Sequence, residues 1–314
     1  MKFHYPHLVL AVLTAMLGSK VAIGQTTVGA PTIGIQTVEI TSSLQDAAKE
    51  QDRRLGRQDK ELSLRRVADS LEQQVLDRIH NTRKFTVVSR RELKTLLKDQ
   101  DLQSFLGDPS DANVAQSFKI AGCKYALVVT VDDFQDEQTK LMMEGQQAVA
   151  TKRKVRLSSV GKIYEVATGK LLESANFQLA KGTGTEIQAG TRNDSAPHGE
   201  LLVQMTREMA QQIASRVTDV VFPAKIMAIT GKLATLTRGN GSGIEKGQVW
   251  AVYATGKQLV DPDTQEVLGV EEIPIGKAKV VNVTPKFSQA EIIEDFGVAE
   301  GQILRLESGA PTAE

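Results

Sequence analysis

The chain has 314 residues, with 38 Lys plus Arg against 38 Asp plus Glu, 41% hydrophobic residues and only 4% aromatics. Zero formal net charge gives no net field that would favour a polyanion, and so few aromatics weaken any proposal that depends on stacking platforms for bases or sugars. A single cysteine, Cys123, rules out an intramolecular disulfide, so buried apolar surface has to hold the fold.

The amino terminus reads MKFHYPHLVLAVLTAMLGSKVAIGQ: Lys2, an apolar run from Leu8 to Leu17, then small residues at Ala22 and Gly24. This is the pattern of a secretory signal cut after Gly24. The run is shorter than the roughly 20 apolar residues that span a bilayer, and no later stretch is apolar enough for a transmembrane helix. No cysteine follows the run to carry a lipid. The expectation is an exported, periplasmic chain with no integral span, peripheral to the outer membrane at most, and long enough for about two domains.

Ile33, Ile35, Val38 and Ile40 predict a first strand over Thr32–Thr41. From Gln45 to Arg66 both charge signs are dense, the composition of a loop or of an exposed helix. Leu64, Val67, Ala68, Leu71, Val75 and Ile79 then recur at three- and four-residue steps, which predicts an amphipathic helix. The strand Phe85–Val88 follows. Ser89 with Glu92 forms a capping box ahead of Leu93, Leu96 and Leu97, placing Arg90 and Arg91 in an exposed first turn as a solvated pair. Two arginines at a helix start are not the basic face that nucleic acid needs.

A turn at Gly107–Ser110, a helix capped near Asp111 and a strand from Tyr125 to about Val131 come next. Lys152–Val166 and Leu171–Leu179, joined by the ATGK turn, read as an antiparallel hairpin. Leu202, Met205, Met209, Ile213 and Val217 line one stripe of a helix that Pro223 ends, its methionines filling core. Beyond Pro223 short apolar strands alternate with Gly, Asn-Gly and Asp-Pro-Asp-Thr turns, the pattern of a small all-β barrel with Trp250 and Tyr253 in its core or rim. The last residues read as a frayed tail.

No catalytic constellation emerges. His80 and His198, the histidines beyond the signal, have no ligand partner at i+3 or i+4, so no metal and no cofactor are expected. Cys123 reads as a small buried residue. Gly239–Gly247 lacks the Lys-Ser/Thr ending of a phosphate loop and precedes a strand, so it reads as a tight turn. Asp132, Asp133, Asp136 and Glu137 miss the calcium-loop spacing and read as a solvated strand end. A hydrolase whose carboxylates converge only in the fold stays open.

The order helix, RKFTVVSRRELKTLLKDQDLQ, turn, short helix, AGCKYALVVTVDDF resembles the CsgG family of curli assembly and transport components, with its relatives the LpoB activator and the TolB amino-terminal domain. Phe85, Val87, Val88 and Arg90 fit that family's first strand motif, and Gly122, Tyr125, Leu127 and Val128 its second, with Cys123 where alanine is common. KIYEVATGKLLESANF looks like its next hairpin, so the resemblance covers about Thr32–Val221. The turns DPDTQEVLG and GIEKGQ are similar to the carboxyl-terminal domain of FlgT. Neither family supplies a catalytic residue. The resemblance implies envelope or secretion proteins as partners and a ring or smaller homo-oligomer. CsgG-type pores also need membrane hairpins of about 9 to 11 residues with an apolar face, whereas the segments 135–154 and 180–200 are charged or polar, so a module without its pore is expected.

The expected organisation is a signal peptide (1–24), an α/β, α+β CsgG-like sandwich of sheet and helices (25–222), a small FlgT-like β-barrel (223–308) and a disordered tail (309–314). The expected function is non-enzymatic: envelope assembly or curli-type secretion through protein contacts. Activation of a peptidoglycan synthase and an outer-membrane secretion pore are the alternatives.

Overall fold

The computed structural model describes residues 29–56, 59–91, 118–119, 121–142, 148–182, 186–189, 198–265 and 267–307. The expected signal, the turn at Gly107–Ser110, Glu92 of the capping box, the helix near Asp111 and the tail lie outside them. The described residues form a mixed α+β chain, mostly strand, with two sheets and three helices.

The charge-dense stretch becomes helix because its two ends are satisfied. The helix α1, Ser42–Leu55, stops at Gly56, whose φ of 62° is the left-handed conformation that closes a helix. The long helix α2, Asp59–Asn81, starts where the Asp52 carboxylate accepts the backbone N–H groups of Lys60 and Glu61, both at 3.0 Å. On α2 the predicted stripe is the buried one: Leu64, Val67, Leu71, Val75 and Ile79 are almost wholly out of water. It packs against α3, His198–Val221, whose Met205, Met209, Ile213 and Val217 fill the same core.

Both helices cover one face of a sheet made from β1 (Thr32–Ile35), β2 (Glu39–Ile40), β3 (Thr86–Ser89), β4 (Tyr125–Met142), β5 (Ala148–Glu165), β6 (Leu171–Gly182) and β7 (Glu186–Ala189). Its order is β3-β1-β4-β5-β6, with β2 along β4 and β7 along β5. β1 runs parallel to β3 and β4; the β4, β5 and β6 neighbours are antiparallel. Leu127, Val129, Val131, Leu157 and Ile163 face the helices, while Phe118, Cys123, Ala126, Val128 and Val166 form a small cluster apart from that core. Gly34 is required there, because a Cβ on it would lie 2.1 Å from a Phe118 ring carbon.

Two expectations need correction. The single strand over Thr32–Thr41 is broken into β1 and β2, because the intervening chain turns its bonds elsewhere: the Val38 N–H goes to the Glu72 carboxylate at 3.2 Å. β4 does not end near Val131 but continues to Met142, and β5 begins at Ala148, so residues 135–142 and 149–154 pair as antiparallel strands. An antiparallel neighbour satisfies backbone groups whatever the side chains are, so a strand can run on through a charged sequence such as QDE. Within 180–200, β6 extends to Gly182 and β7 pairs with β5.

After α3 come β8 (Ala224–Thr230), β9 (Leu233–Leu236), β10 (Val249–Val260), β11 (Val267–Val283), β12 (Ser288–Asp295) and β13 (Ile303–Leu306). They pair in a circuit that closes on itself, β10-β11-β12-β9-β8-β13 and back to β10. Inside sit Ala224, Ala234, Ala278 and Ala290 with Leu236, Val252, Val280 and Trp250. Tyr253, on the same strand as Trp250, is half-buried.

Candidate interaction site

The residues singled out for chemistry stay apart. Cys123 is buried, and burial pushes its thiol up to about 11, which removes the thiolate a nucleophile needs. His80 is exposed in the last turn of α2, and His198 is the first residue of α3. Asp136 is taken by Arg153 in a bidentate pair of 2.7 and 2.5 Å, while Asp133 accepts from Gln135. Among the described residues no group of three His, Cys, Asp or Glu could hold a metal.

Arg90 corrects the solvated-pair reading. It is only 3% exposed and donates to Gln36 Oε1 at 2.7 Å, where β1 and β3 end side by side. Arg91 lies half outside, 3.2 Å from Asp69 and 3.5 Å from the buried Glu72 carboxylate. Beside this cluster Val38, Glu39, Ile40, Gln45, Glu61, Leu64 and Arg65 line a groove of about 500 Å³. Carboxyl ends of parallel strands are common places for ligands. Here the charged groups answer one another: Glu72 holds Val38 and Arg91, Gln36 bonds Glu39 at 3.3 Å and accepts from Arg90, and Arg65 bonds Glu61 at 2.6 Å. The cluster latches β1, β3 and α2 together. The sequence carried one sign of it, an acid, Glu72, beside the apolar stripe.

A second polar cluster joins the strand ring to the helices. Arg238 is 1% exposed; its guanidinium pairs with Asp219 of α3 and donates to the carbonyls of Phe222 (3.0 Å) and Ser242 (3.2 Å). Burial pushes the Asp219 carboxyl up and the Arg238 guanidinium down, and each partner's charge opposes the other's shift. Burial, then the Arg238 charge, lowers Lys84 nearby. The Gly239–Gly247 loop is therefore a joint. A Cβ at Gly241, φ 86°, would lie 2.8 Å from the Asn81 carbonyl oxygen, and one at Gly243, φ 78°, 2.3 Å from Ser215 Oγ.

What remains open to a partner is strand surface. β6 is a long edge strand, but Glu173 and Lys181 point inward to ion pairs with Arg216 and Glu208 of α3, a charged guard against pairing. The hairpin of β10 and β11 is unguarded. β13 accompanies β10 only over Trp250–Tyr253, and β12 accompanies β11 only over Gly276–Val283. Past those points the two strands form a bare arm, paired among the described residues only with each other out to Val260 and Val267. Leu259, Val260, Val267, Val270 and Ile273 on it are each 44–51% exposed. The turn at its end is held by Asp261 Oδ1, which accepts the N–H groups of Asp263 (2.8 Å) and Thr264 (3.0 Å). An isolated two-stranded ribbon is marginal in water, and an uncovered apolar edge invites another strand.

No protein-family profile matches the chain. Over 64 residues it is 30% identical to an uncharacterized protein of Aquifex aeolicus, a stretch that covers 20% of this chain and only 13% of that relative. Among solved structures it is similar to the hypothetical protein CT253 of Chlamydia trachomatis, with a TM-score of 0.34, 9% identity, and coverage of 62% of this chain and 99% of that one. It is also similar to the LpoB carboxyl-terminal domain of Salmonella enterica, with a TM-score of 0.23, 16% identity, and coverage of 49% and 86%. At these TM-scores the function has to be argued from the chain's own surface.

Proposed function

We propose that the chain is a non-enzymatic component of the bacterial envelope that works through protein contacts, in the manner of CsgG- and LpoB-like proteins. Its two working parts are a CsgG-like α/β unit over 25–222 and a FlgT-like β-barrel unit over 223–308, delivered to the periplasm by the signal at 1–24. The observation that carries this reading is the bare β10–β11 arm, an apolar, edge-exposed surface. Export is supported by the Lys2 and Leu8–Leu17 pattern.

The pore alternative is weakened at the hairpin of β4 and β5. Glu137 pairs across to Lys154, while Asp136 and Arg153 bond on the other face, so both faces are charged just where an apolar band would have to begin. No helix among the described residues is long and apolar enough to cross a membrane.

Envelope fractionation followed by an alkaline carbonate wash tests the proposal. The protein is expected to wash free of the membrane and to crosslink in the periplasm to an envelope protein. Retention that only detergent reverses would overturn the reading in favour of the pore.

A further inference from the structure

We propose that the β10–β11 arm joins copies of this chain head to tail, the β10 edge of one copy pairing with the β11 edge of the next. This rests on the protein-contact reading above and names the partner. The arm has two different free edges. Among the described residues nothing pairs with the outer side of β10 beyond Tyr253, nor with the outer side of β11 before Ile275, whose carbonyl accepts the Phe296 N–H at 2.8 Å.

The two edges carry opposite charge at the same height. On β10 the arm offers Lys257 and no acid before the turn; on β11 it offers Glu271 and Glu272 and no base. Thr255 pairs with Glu272 and Gln258 with Val270, so Lys257 stands level with Glu271. A bulge between Thr255 and Gln258 sets Gly256 and Lys257 opposite Glu271, so the two charges stand level on the arm. Among the described residues neither forms a salt bridge, whereas Glu272 is already held by Arg305 at 2.7 Å. A second copy placed beside the first at equal height puts its Lys257 against Glu271 of its neighbour, and its strands continue the antiparallel order.

A two-fold arrangement gains nothing from these charges: pairing β11 with β11 brings together two edges whose only charges are acidic, and pairing β10 with β10 two edges whose only charge before the turn is lysine. The mixed contact is heterologous, so it repeats into a ring or an open row rather than stopping at a dimer. Pro274, with no N–H to donate, limits the pairing edge on β11. A lipid surface suits the arm less well, because its tip carries Asp261 and Asp263 and an anionic leaflet would repel them.

The test uses the mature chain in sedimentation velocity and light scattering, with Trp250 fluorescence to confirm folding of each variant. Wild type is expected to associate beyond dimer as concentration rises. Lys257→Glu and Glu271→Lys should each weaken that association about fivefold or more, since each sets like charges opposite one another. The double variant carrying both swaps should restore it, which a merely structural role for either residue would not produce. Association unchanged by either single swap, or not restored by the double, overturns the head-to-tail contact. A wild type that stays monomeric, while a photocrosslinker at Gln258 captures a different envelope protein, overturns self-assembly but spares the protein-contact reading. A monomer that instead floats with phosphatidylglycerol vesicles overturns both.

Discussion

Against the large sheet, burial comes from two long helices whose leucines, valines, isoleucines and methionines lie over β4, β5 and β6. The ring has no helix among its described residues 224–307; six strands close around four alanines and one tryptophan. The first arrangement buries much apolar surface per residue and tolerates a polar cluster at its edge. The second has a small core, for which the tie to α3 through Arg238 matters more. The only tryptophan is in the ring and the three described helices precede it, so Trp250 fluorescence reports the ring and the helical band of circular dichroism the first region.

Arg238→Ala should produce the largest effect. It strands a half-buried Asp219 and empties a fully buried site, and breaking a buried pair costs about 3 to 5 kcal/mol. Asp219 keeps about a third of its side chain in water, so the lower end of that range, about 3 kcal/mol, is expected. In urea the Trp250 transition should move to lower denaturant and separate from the helical one. Coincident transitions would show that the ring and the helices are coupled by the rest of the contact surface and not by this ion pair.

That ion pair also marks the limit of what the sequence discloses. The stripe Leu64–Ile79 announces α2 because a helix with one wet face must repeat near 3.6, and the methionine stripe of α3 is legible for the same reason. Arg238 follows a short strand in a glycine-rich turn, where no period exists to say that its side chain faces inward; the same is true of Arg90, which follows Ser89 and looks like a helix-start charge. The far half of β4 was hidden because alternation signals a half-buried strand, and residues 135–137 are wet or ion-paired instead. The arm was visible only as a turn, DPDTQEVLG, since exposure of Val267 and Val270 follows from which neighbours stop short, a property of the circuit and not of the residues.

The helical side of the comparison can be touched alone at Asp52. Its carboxylate caps α2, and replacing such an acceptor with alanine costs about 1 kcal/mol. Asp52→Ala should therefore shift the circular-dichroism transition slightly while Trp250 reports an unchanged midpoint. A shift of both by the same amount would mean that the sheet and the ring unfold as one unit, and Arg238→Ala would then be expected to leave them coincident too.

The smallest effect separates the carboxylates. The N–H groups of Thr264 and Asp263 hold Asp261 below the ordinary 3.8, and those of Val298 and Gly297 do the same for Asp295. An acid depressed by folding contributes stability that is complete above 3.8 and is lost as pH falls through its folded midpoint, so both turns weaken only in strong acid. Asp219 has the opposite sign: burial raises it, so its contribution declines as pH climbs from 3.8 toward its folded midpoint. One carboxyl-carbon NMR titration should place Asp261 and Asp295 below 3.8 and Asp219 above it. In Arg238→Ala the Asp219 midpoint should rise further, because the cation that opposes its burial is gone, while the two turn carboxylates stay where they were. If Asp219 instead titrates below 3.8 in the wild type, the guanidinium outweighs desolvation, and the joint stabilises the ring at neutral pH by more than its burial suggests.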